Sequence, residues 1–87
     1  MSSTPELTYQ ELASVILKHV GITVNVHRLS HRLTTFADIG VDSLGILAVV
    51  RELENRRGVD LGPTAAQDCP TPRQLVTRLR EARNGVV

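Results

Sequence analysis

The chain has 87 residues, 41% of them apolar, and a formal net charge of +1. That length fits one small domain, residues 1–87, with a modest core. So balanced a charge gives no bulk field for nucleic acid, and the single cysteine, Cys69, excludes an internal disulfide and a cysteine-rich metal site.

The core must be aliphatic, since Tyr9 and Phe36 are the only aromatics. Cys69 reads as a small, semi-buried residue near a turn. No apolar run approaches membrane-spanning length. The start, Met1-Ser2-Ser3-Thr4-Pro5, lacks the basic-then-apolar order of a signal peptide. A cytoplasmic protein is the expectation.

In chain order, the first predicted helix covers about 8–20. Thr8-Tyr9-Gln10-Glu11 reads as its capping box, and Leu12, Val15, Ile16, His19 and Val20 follow at helical spacing. Gly21 stops it, with His19 placed to complement the dipole. A long connection then runs from Gly21 to Asp42. Ile22, Val24 and Val26 alternate like a short strand, while Leu29 and Leu33 fit one helical turn. Leu29, Leu33, Phe36 and Ile39 are apolar anchors, so this segment reads as an ordered loop strapped across the helices.

The second predicted helix covers 43–57. Leu44, Leu47, Val50 (with Ile46) and Leu53 trace its buried face, and Val49 flanks it. Asp42 caps its start; Arg56 and Arg57 precede a stop at Gly58. Val59 and Leu61 turn inward, and Gly62-Pro63 breaks the chain. A short turn at 64–68 precedes a last helix at 71–84. Thr71-Pro72-Arg73-Gln74 is its start signal, Leu75, Val76, Leu79 and Ala82 its apolar stripe, and Asn84-Gly85 its end. The fold class is all-α, a small bundle of three main helices and a minor fourth with a long first loop.

The segment Asp38-Ile39-Gly40-Val41-Asp42-Ser43-Leu44 carries the functional signal. Ser43 sits behind a Gly-x-Asp turn where an apolar helical run begins. No general base lies beside it in sequence, so it suits a hydroxyl modified by another protein rather than a self-activating nucleophile.

Phe36 to Leu44 resembles the attachment motif of acyl carrier proteins. The likeness extends through the following helix, the Gly58-Val59-Asp60-Leu61 exit, the short third element and the Thr71-Pro72-Arg73-Gln74-Leu75 start. The resemblance implies that Ser43 receives a 4′-phosphopantetheine arm from coenzyme A through a magnesium-dependent phosphopantetheinyl transferase. Asp42 and Leu44 flank the attachment point, and the family analogy gives Asp42 a part in orienting the transferase's metal. The arm's thiol holds acyl groups as thioesters. The resemblance implies that the carrier is not an enzyme but a monomer that shuttles intermediates between a ketosynthase, an acyltransferase and other synthase enzymes. The Thr71 to Leu75 segment is similar to that of free-standing polyketide carriers, including those of antibiotic biosynthesis. Gly40-Val41-Asp42-Ser43 lacks the Gly-Gly-Asp-Ser pattern of peptidyl carriers. Fatty acid synthesis and starter-unit loading are the alternatives within the family.

The chain departs from the family in charge. Carriers are often acidic, but from Asp42 to Arg57 three cations (Arg51, Arg56, Arg57) meet three anions (Asp42, Glu52, Glu54). From Thr71 onward, Arg73, Arg78, Arg80 and Arg83 outnumber Glu81 by three. Ala48 and Val49 stand where a more charged face is usual, so Ala48, Val49 and Arg51 are the candidate partner contacts. Gly45 beside the serine has two readings, close approach of the arm to the backbone or packing of the loop.

Rival classes have weaker support. A hydrolase would need a Gly-x-Ser-x-Gly elbow, and His19, His27 and His31 all precede Ser43 without that context. His27 and His31 lack the acidic partner of a His-Glu-x-x-His metal site. A helical nucleic-acid- or protein-binding module rests on the arginines of the last helix, whose stems more simply cover apolar surface.

Overall fold

A computed structural model describes the backbone of residues 5–84 and the side chains of residues 9–82. Five α-helices and one 3₁₀ turn follow in order: α1 (Pro5–Val20), α2 (Val26–Ser30), the 3₁₀ turn (Ala37–Ile39), α3 (Ser43–Arg57), α4 (Ala65–Asp68) and α5 (Pro72–Asn84). No strand occurs among the described residues. None of these helices is long and apolar enough to cross a membrane.

Helix α1 begins at Pro5, so Thr8 lies inside it and is not its N-cap. Proline is favoured in a first turn, where its missing N–H costs nothing. Gly21, at φ +85°, ends the helix, and its N–H returns to the Leu17 carbonyl at 3.0 Å. The alternation Ile22, Val24, Val26 forms no strand: residues 21–25 are irregular and Val26 already opens α2. This short helix is the element that the sequence reading leaves as loop. Asn25 caps α2, its Oδ1 accepting the His27 N–H at 2.7 Å.

The long connection is anchored as expected by Leu29 and Phe36, both buried, with Ile39 half-buried. Leu33 is not an anchor; it is 71% exposed. The Phe36 N–H donates to the Pro70 carbonyl at 2.9 Å, which straps the loop to the junction before α5.

Helix α3 buries Ile46, Val49, Val50 and Leu53, an i, i+3, i+4, i+7 stripe. The predicted face is therefore rotated. Leu44 and Leu47 point outward, 75% and 42% exposed, and Val49 is wholly buried in the core rather than beside it. This core joins Leu12, Val15 and Ile16 of α1 to Phe36, Leu61 and the Leu75, Val76, Leu79 stripe of α5. Gly58, at φ +64°, closes α3. Leu61 turns inward as predicted, its N–H donating to Glu54 Oε2 at 2.7 Å.

Cys69 is buried after α4, which pushes its thiol pKa up. At α5, Thr71 and Gln74 form the predicted capping box: the Gln74 N–H donates to Thr71 Oγ1 at 3.1 Å, and the Thr71 N–H to Gln74 Oε1 at 3.3 Å. The predicted stop at Gly85 and the side chain of Arg83 lie outside the described residues.

Candidate functional site

The approach to Ser43 is built one hydrogen bond at a time. Thr35 and Asp38 cap the 3₁₀ turn reciprocally: the Thr35 N–H donates to Asp38 Oδ2 and the Asp38 N–H to Thr35 Oγ1, both at 3.0 Å. The bonds from Thr35, its amide first, hold the Asp38 carboxyl below the ordinary range. Gly40 follows at φ +83°, a left-handed conformation that reverses the chain and that a side chain would strain. Val41 then plugs into the core, its N–H donating to the Phe36 carbonyl at 2.9 Å.

Asp42 is the N-cap of α3. Its Oδ1 accepts the Gly45 N–H at 2.8 Å, and its carbonyl accepts the Ile46 N–H at 2.9 Å. Ser43 is the first helical residue and is exposed. The first N–H groups of a helix have no carbonyl partner within it. The Gly45 amide is taken by Asp42, while those of Ser43 and Leu44, in the same first turn, have no partner among the described residues. They lie at the positive end of a 15-residue helix. An exposed hydroxyl with two unspent amides fits a phosphodiester.

The two readings of Gly45 now separate. A Cβ there would lie 3.0 Å from Val41 Cγ1, 3.2 Å from Val20 Cγ2 and 3.3 Å from Asp42 Oδ1. Gly45 lets the end of α1 and the loop close on α3, which is the packing reading.

Of the candidate partner residues, Ala48 is half-buried and Arg51 exposed, but Val49 is sealed in the core and offers nothing to a partner. Leu47 takes that outward place. The signal for it was present, since Leu44, Leu47, Ala48 and Arg51 recur at helical spacing. A second apolar stripe on the same helix obscured it. A groove of about 340 Å³ begins at Leu47 and runs along Val50 and Arg51 toward Pro63 and Ala66.

The other edge of α3 spends its charges internally. Glu52 meets Arg56 Nε at 2.8 Å, His19 Nε2 at 2.8 Å and Lys18 Nζ at 3.2 Å. These hydrogen bonds, Arg56's first, hold the Glu52 pKa down at about 2. Glu11 of α1 pairs with Arg56 and Arg57. His19 is thus a hydrogen-bond partner of Glu52 between helices. Among the described residues no three His, Cys, Asp or Glu side chains gather as a metal site, and none of the hydrogen bonds made by His19 or His31 involves Ser43.

Residues 24–79 match the phosphopantetheine attachment site family. The chain belongs to this family of acyl carrier proteins. It is 49% identical over 51 residues to the curamycin polyketide synthase acyl carrier protein of Streptomyces cyaneus, covering 59% of this chain and 59% of that one. It is 33% identical over 75 residues to a probable acyl carrier protein of Streptomyces halstedii, covering 85% of this chain and 80% of that relative. A probable acyl carrier protein of Streptomyces coelicolor is also 33% identical, over 78 residues, covering 88% of this chain and 86% of the relative. The solution structure of the oxytetracycline acyl carrier protein superposes with a TM-score of 0.71 at 25% identity, covering 98% of this chain and 86% of that one. Its prosthetic group is 4′-phosphopantetheine.

Proposed function

We propose that Ser43 is the attachment residue, and that the chain is a single, monomeric, non-catalytic carrier domain working in the cytoplasm. The observation that carries this reading is an exposed serine hydroxyl at the first position of α3, held there by the Asp42 cap. Ser43 Oγ forms the new phosphoester bond to the pantetheine-side phosphorus of coenzyme A as a phosphopantetheinyl transferase breaks the pyrophosphate linkage, and adenosine 3′,5′-bisphosphate leaves. The hydroxyl proton passes to that enzyme. The Ser43 and Leu44 amides then face the phosphodiester, and Asp42 keeps the helix mouth in register. The arm supplies a thiol for thioester-bound acyl and polyketide intermediates.

The same reading makes Leu44, Leu47, Ala48 and Arg51 the surface offered to the transferase, to a ketosynthase, to an acyltransferase and to other synthase enzymes. A tethered arm presents its cargo at high local concentration once such a partner docks.

The test is to incubate the apo chain with coenzyme A, magnesium and a broad-specificity transferase. The reading predicts one phosphopantetheine increment in intact mass and one reactive thiol in addition to the buried Cys69. No increment, with a control carrier loaded in parallel, would overturn it.

A further inference from the structure

We propose that the groove bounded by Arg32, the junction after α4 and one side of α5 is a second docking surface, which takes an acidic protein segment. The groove is about 380 Å³ in volume, and its basic side chains are Arg32, Arg73 and Arg78. Arg73 ties its two walls together, Nη1 donating to the Ser30 carbonyl at 3.3 Å.

The charges are not equivalent. Arg78 is answered by Asp68 at 3.4 Å, and Asp68 is held in place by the Thr64 hydroxyl at 2.8 Å. Arg32 and Arg73 are exposed, and neither forms a salt bridge among the described residues. Arg80 is exposed too and follows Arg73 at helical spacing, three residues beyond the groove-lining Thr77. The groove's own lining sets three arginines, Arg32, Arg73 and Arg78, against two carboxylates, Asp68 and Glu81, so one positive charge is uncompensated, and Arg80 adds a further cation on the same helix.

Guanidinium forks match carboxylates in paired hydrogen bonds. An acidic peptide can set its carboxylates opposite Arg32 and Arg73 and keep them off Asp68 and Glu81. A nucleic-acid backbone carries an unbroken line of phosphates and would be driven past both. No residue of α3 lines this groove. A segment bound there leaves Ser43 and the outward face of α3 uncovered, so the carrier can be held at one face while it serves a second partner at the other.

The test is an NMR titration of the full isotope-labelled chain with a capped hexaglutamate peptide, at low and at physiological salt. The largest shifts are expected at Arg32, Arg73, Thr77 and Arg78, weakening with salt as screening grows. The double variant Arg32→Gln/Arg73→Gln should bind about tenfold more weakly, and Arg51→Gln as the parent does. Because Arg73→Gln also removes the Ser30 bond, Arg32→Gln alone is the second arm, with a loss of about threefold expected. Shifts spread evenly over the surface or centred on α3, or unchanged binding by either arginine variant, would overturn the proposal. So would tighter binding at these residues by a DNA duplex of equal charge. Ser43 takes no part in the titration, so its outcome is independent of the attachment reading.

Discussion

The two edges of α3 have opposite fates. Its N-terminal half turns Ser43, Leu44 and Leu47 to solvent, with Arg51 one turn further on. Its C-terminal half turns Glu52, Arg56 and Arg57 toward α1, where Lys18, His19 and Glu11 receive them. The helix sums to zero charge from Asp42 to Arg57, but that sum conceals a separation. The ionic groups pair with α1, while Leu44 and Leu47, outside the buried stripe, are left facing solvent. Charge counted along a sequence therefore underestimates how apolar the presented face is.

The largest effect that would sharpen this contrast is in packing. Leu53→Ala on the inner stripe should cost about 2–5 kcal/mol, whereas Leu44→Ala on the outer one should stay within about 0.5 kcal/mol. Urea unfolding of both variants checks this, and comparable losses would break the assignment of faces.

Removing the cap comes next. Asp42→Ala should cost about 1 kcal/mol, with Asp42→Asn retaining most of it, as read from unfolding midpoints.

At the ionic edge, Glu52→Gln should lower the thermal midpoint by a modest, salt-sensitive amount. The sign with pH follows from the depressed pKa. Glu52 stabilises the fold fully above its ordinary value of 4.5, and that contribution is lost as pH falls toward about 2. The gap between parent and variant should therefore be constant at neutral pH and close by pH about 2.

The smallest stability effect belongs to Arg51→Glu, within about 0.5 kcal/mol, yet it should slow acyl transfer from a cognate synthase partner. An unchanged transfer rate would remove Arg51 from the docking face.

Much of this was legible in the residues. The caps at Asp42 and Thr71, the stop at Gly58 and the stripe Leu75, Val76, Leu79 are short-range signals, and the structure bears each one out. What escaped depends on longer-range packing. Leu44 and Leu47 share helical spacing with the outer stripe as well as Ile46 and Val49 do with the inner, and periodicity alone does not choose between them. The five-residue α2 was hidden because Val26 also completes an alternating pattern, although Asn25 was a readable cap. Gly45 could be decided only once Val20 and Val41 were seen to close on it.

The most direct measurement of the central claim is fragment-ion mapping of the chain after treatment with coenzyme A and a transferase, alongside a Ser43→Ala variant of unchanged helicity. The account predicts the arm on Ser43 alone and no mass gain in the variant. An arm carried on Ser14, Ser30 or any other residue, or a variant that still loads, would contradict it.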